Sequence, residues 1–95
     1  MVIEVRDIAF AANTAEQGTM VFQAILMGLD HSDEVTISFA GVKTASSSFV
    51  NVAFVGLLTH YSLDEIKRRV RVVQSTRQIN DLIKALLERA AQIPA

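Results

Sequence analysis

The 95-residue chain contains no cysteine, which excludes a disulfide scaffold, a Cys-ligated zinc site and thiol catalysis. Its four glycines are scattered and form no Gly-rich phosphate loop. The one proline, Pro94, closes the tail. Neither sign of charge dominates: nine basic and ten acidic residues leave a net charge of -1 and a pI near 6.0. A mainly electrostatic grip on nucleic acid is therefore not expected. No apolar run approaches the ~18 residues a membrane span needs. Met1 leads straight into Val2-Ile3-Glu4-Val5-Arg6-Asp7, with no basic leader and apolar stretch of a signal peptide. A cytoplasmic protein with no membrane partner is the expectation. What the chain does have is grease: 51% of its residues are hydrophobic and 20% charged, enough for one packed core and one domain over residues 1–95.

Three segments read as strands: Val2 to about Phe10, Glu34 to Ala40, and Arg69 to Gln74. In the second, Val35, Ile37 and Phe39 alternate with Thr36, Ser38 and Ala40. In the third, Val70 and Val72 oppose Arg69 and Arg71. The intervals have helical patterns, giving β-α-β-α-(short α)-β-α. Capping-box spacings mark helix starts at Thr14/Gln17, Ser62/Glu65 and Ser75/Gln78. The last helix carries the stripe Ile79, Leu82, Ile83, Leu86, Leu87 and Ala90, with Lys84 and Glu88 as an i,i+4 pair on its polar side. Parallel strands covered on both faces read as unbroken apolar runs, whereas strands two and three keep a polar face. The expected fold is a small α/β domain with a parallel or mixed sheet and helices mainly on one face.

Two helices carry more apolar surface than one core contact requires. In the first, Gly18, Val21, Phe22, Ile25 and Leu29 share the face expected to meet the sheet, and Met20, Ala24 and Met27 project roughly opposite. That second stripe is either covered by another element of the same chain or is a contact surface suited to a homo-oligomer. In the second helix, Ser47 to Leu58, the core face is Phe49, Val50, Ala53 and Leu57. Ser48, Val52 and Val55 lie on the other side with Asn51 beside them, which reads either as a fully buried central helix or as a docking face. The serines before it also suit an N-cap.

The run Val35-Thr36-Ile37-Ser38-Phe39-Ala40-Gly41-Val42, followed by Ser46-Ser47-Ser48-Phe49-Val50-Asn51, resembles the STAS-like domain family of unknown function. More distantly it is similar to the STAS domains of bacterial anti-sigma factor antagonists. In both, a strand leads through Gly-Val to a serine-bearing loop that opens a helix, and the resemblance covers about residues 14 to 91. It implies a STAS-like fold and a noncatalytic, regulatory protein-interaction module. It also implies a protein partner such as a GHKL-type ATPase or serine kinase. In the antagonists, the kinase phosphorylates the second serine of an Asp-Ser-Ser-Gly loop. Ser46 stands in place of the aspartate, Ser47 and Ser48 match the serines, and Phe49 replaces the glycine. The resemblance thus makes Ser48, with Ser47 beside it, the candidate phosphoacceptor. Ser46, Asn51, Val52 and Val55 become the candidate partner-binding residues. The alternative is a structural homo-oligomeric subunit assembling through Met20, Ala24 and Met27.

Other chemistry-bearing residues point to no catalytic, metal or cofactor site. Asp30-His31-Ser32-Asp33 matches no compact metal motif and reads as a solvated turn. His60 suits a helix end. Lys67, Arg68, Arg69 and Arg71 read as a solvated helix terminus and strand face rather than a phosphate site. With two distant histidines and no nucleophile elbow, no hydrolase is expected.

Overall fold

The computed structural model describes residues 1–92, so Pro94 lies outside the described residues. Its element order is β1 (Val2–Glu4), α1 (Val5–Ala9), α2 (Ala15–His31), β2 (Val35–Ser38), α3 (Ser47–Ala53), a 3-10 turn (Val55–Thr59), α4 (Leu63–Arg69), β3 (Val70–Val73) and α5 (Arg77–Gln92). The strands form a parallel sheet in the order β1-β2-β3.

Register shows why one sheet face is covered. Ile3, Ile37 and Val72 stand side by side; Ile3 and Ile37 are buried and Val72 half-buried. The neighbouring row, Val2, Thr36 and Arg71, points to the other face, where Val2 and Arg71 are exposed. The one-sided α/β architecture expected from the polar strand faces is therefore present, as a parallel sheet. No helix among the described residues is long and apolar enough to cross a membrane.

The first strand is shorter than expected: pairing stops at Glu4, opposite Ser38, the last residue of β2. Beyond that point no ladder partner remains, and the chain satisfies its backbone by turning into α1. Val5 and Ala9, four residues apart, are both buried. The second expected helix also divides. α3 ends at Ala53, where the Phe54 N–H bonds the Val50 carbonyl at 2.9 Å, and Leu57 N–H bonds the Phe54 carbonyl at 3.0 Å. In a 3-10 turn residues i and i+3 eclipse, so tightening sends both Phe54 and Leu57 into the core, where both are buried.

α2 packs more closely on α3 than on the sheet. A Cβ on Gly18 would fall 2.7 Å from the Phe49 carbonyl oxygen, so the helices touch backbone to backbone there. Farther along, a Cβ on Gly28 would strike Val35 of β2 at 2.8 Å. Phe22, expected on the sheet-facing stripe, is half-buried and lies 6.0 Å from the His60 ring instead.

The capping boxes at Thr14/Gln17 and Ser62/Glu65 are present. The third expected box is not. Thr76 caps α5 by accepting from the Ile79 N–H at 3.3 Å. Gln78 turns away and forms a reciprocal pair with the Ala45 backbone, accepting from its N–H and donating to its carbonyl, each at 3.0 Å. Glu88 likewise pairs with Lys67 of α4 at 3.9 Å rather than with Lys84. Both long side chains reach across to a neighbouring element. The apolar stripe of α5 is as expected, with Ile79, Ile83 and Leu87 buried.

Candidate partner-binding surface

Three aromatic rings fix the serine-bearing helix to the sheet. Phe39, just past β2, meets Phe49 of α3 edge-on at 6.4 Å and stacks against Phe54 at 6.3 Å. All three are buried, and each such aromatic pair contributes about 0.5–1.5 kcal/mol beyond its buried area. The start of α3 is thereby held at the carboxyl end of the central strand, where open α/β sheets place their ligands.

Of the three consecutive serines, Ser46 is the cap. Its Oγ accepts from the Phe49 N–H at 3.1 Å and donates to the Asn13 carbonyl at 2.7 Å, while its N–H donates to the Ala12 carbonyl at 2.8 Å. The hydroxyl is thus committed to joining two loops. Ser47 and Ser48 follow as the first helical residues, with exposed side chains. Asn51 is exposed one turn further on, and the i,i+3 and i,i+4 spacings place it beside both serines.

Val52 and Val55 are placed differently. Val52 is half-buried against α2, its Cβ 3.0 Å from where a Gly18 Cβ would sit. Val55 belongs to the 3-10 turn rather than to α3, and packs half-buried on the core. The surface at Ser47, Ser48 and Asn51 is accordingly polar, with Val52 at its border. On α2, Met20 and Met27 are 45% and 61% exposed, with Ala24 half-buried between them.

Two neighbouring loops complete the platform. Thr76, after β3, donates to the Lys43 carbonyl at 2.8 Å, and Gln78 holds Ala45 as described above. The segments 10–14, 39–46 and 74–76 are thus tied together at the strand carboxyl ends. Every positive φ among the described residues falls in them: Phe10 at 66°, Gly41 at 80° and Gln74 at 54°. Gly41 is required by its positive φ, which L side chains rarely adopt; the exposed Arg6 guanidinium beside it could swing aside from a Cβ.

Phe10 is the residue that sequence reasoning missed. It is the centre of a γ-turn, with φ 66°, ψ -43° and the Ala11 N–H donating to the Ala9 carbonyl at 2.7 Å. That turn is rare and strained. The residue is 81% exposed and borders a shallow depression shared with Asn13, Lys43 and Thr44. A strained backbone conformation costs about 1–3 kcal/mol and persists where its surroundings enforce it, often at ligand clamps.

The basic cluster serves the fold at one position. Arg69 donates from Nε to the Asp33 carbonyl and from Nη2 to the Leu29 carbonyl, each at 3.0 Å. It also sits 5.2 Å above the Tyr61 ring. It clamps the α2–β2 turn to α4. Among the described residues, no group of three His, Asp or Glu converges as a metal site would require.

A family model described as a STAS-like domain of unknown function (DUF4325) matches residues 17–80, more than half of the chain. Comparison with curated proteins and with solved structures gives no significant match.

Proposed function

The chain belongs to the STAS-like domain family of unknown function, and from that premise we propose that it is a noncatalytic regulatory module that docks a protein partner at the strand carboxyl ends. The observation that carries this reading is the division of labour in the serine run: Ser46 caps α3, which leaves Ser47 and Ser48 exposed on a rigid platform. Asn51 extends that polar surface, and Phe10 supplies an exposed aromatic side chain of a kind enriched at interfaces. Val52 and Val55 act from its border by fixing the helix against α2 and the core.

A phosphoswitch at Ser48 follows from the same arrangement, with Ser47 as the adjacent acceptor. A phosphoryl group on Ser48 would enter an exposed position and leave the Ser46 cap intact, so the fold would tolerate it. A docked partner would instead meet a doubly charged, strongly hydrated group. The resemblance to anti-sigma factor antagonists favours a GHKL-type ATPase or serine kinase as that partner. Capture with the wild-type chain from the native host, followed by calorimetry on the captured partner, tests the reading. Ser48→Ala should bind as wild type, whereas Ser48→Asp and Phe10→Ser should each weaken binding at least tenfold. Equal affinities for all variants would refute it.

The exposure of Met20 and Met27 favours one second reading, a homo-oligomer built on that face of α2. A stable dimer by light scattering, dissolved by Met20→Glu with Met27→Glu, would select it.

A further inference from the structure

A cavity of about 270 Å³ opens between α4, β3 and α5, away from the serine-bearing loops. Its walls are apolar: Phe54, Ile66, Val70, Val72, Ile83 and Leu87. β3 is an edge strand, so Val70 and Val72 remain half-buried at the groove instead of being sealed by a further strand.

The mouth has a different chemistry. Lys67, Lys84 and Glu88 border it. Lys67 is matched by Glu88 at 3.9 Å, and Lys84 has no acidic partner among the described residues. The apolar lining is thus bordered by one positive charge without an ion-pair partner among those residues. This is the usual composition of a small-molecule site, with greasy walls and few orienting polar groups. We propose that the groove binds a medium-chain carboxylate, its alkyl chain lying along Phe54, Ile83 and Leu87 and its carboxylate meeting the Lys84 ammonium.

Size and charge select this ligand class. An apolar cavity of about 150 Å³ accommodates benzene, with six heavy atoms. The same filling puts about ten or eleven heavy atoms in this groove, the size of octanoate. A neutral alcohol of that length would fill the walls but leave Lys84 without a counter-charge. An alkylammonium would place a second cation beside it.

The test is titration of the ¹⁵N-labelled chain with octanoate, 1-octanol and octylammonium, followed by NMR. Octanoate should give saturable shifts centred on Val70, Val72, Ile83 and Leu87 and bind tighter than the other two. Lys84 is exposed, so Lys84→Glu should fold normally. It should weaken octanoate about three- to tenfold, the scale of one exposed ion pair lost and a repulsion gained, and make octylammonium the better ligand. Absence of saturable shifts, equal affinity for octanoate and octylammonium, or indifference to Lys84→Glu would overturn the proposal. So would a dimer that octanoate dissociates, because the groove would then belong to a second copy of the chain.

Discussion

Replacing Gly18 with alanine sets two physical effects of opposite sign against each other. In a helix interior, alanine is favoured over glycine by about 1 kcal/mol through backbone entropy. At this position, however, the new Cβ would lie 2.7 Å from the Phe49 carbonyl oxygen and 3.0 Å from Val52 Cβ. The carbonyl is backbone and cannot rotate aside, so α2 and α3 must separate by several tenths of an ångström. Overpacking of this kind costs about 1–3 kcal/mol, which exceeds the propensity gain over most of its range. Subtracting the propensity gain leaves a net destabilisation of up to about 2 kcal/mol, which lowers the melting temperature by up to roughly 16 °C for a chain of this size. The internal control is Gln23, exposed on the same helix, where Gln23→Ala should be about 1 kcal/mol more stable than Gln23→Gly. Thermal denaturation followed by circular dichroism reads both comparisons. If Gly18→Ala raised the melting temperature as alanine does at Gln23, the backbone contact between α2 and α3 would be refuted.

The serine run should divide by role: Ser46→Ala should cost about 1–2 kcal/mol through the lost cap, while Ser47→Ala and Ser48→Asp should shift the melting temperature little. A large loss in Ser48→Asp would show a buried side chain and contradict the exposed placement. Arg69→Lys removes the fork that reaches two carbonyls and should destabilise by about 1–3 kcal/mol by chemical denaturation; an unchanged midpoint would show that the clamp is idle. Met20→Glu with Met27→Glu should leave the circular dichroism spectrum and the melt intact, and a cooperative loss of folding would place those side chains in the core.

What could be read from the residues depended on whether one period explained them. β2 was legible because Val35, Ile37 and Phe39 alternate with smaller polar or apolar residues, and all three are buried. α5 was legible because its stripe fits a helix and no strand. Val5 and Ala9 misled for the opposite reason: a spacing of four residues puts two side chains on one face in either conformation. The strand pattern therefore extends to Phe10 in the sequence, and nothing in that pattern marks the aromatic at its end as exposed. Which serine caps α3 was also hidden, since all three have the same side chain and only the Asn13 and Phe49 contacts distinguish Ser46. The Val52 and Val55 face failed as a single stripe because the helix tightens into a 3-10 turn between them, driven by the burial of Phe54 and Leu57. Gln78 and Glu88 had fitting local partners in sequence but found better ones across the fold, a choice set by tertiary proximity.

Amide hydrogen exchange on the chain with and without its captured partner tests the docking surface most directly. The account predicts added protection in segments 10–14 and 43–51, with the amides from Met20 to Met27 unchanged. Protection confined to Met20–Met27, with the serine-bearing loop exchanging as in the free chain, would contradict it.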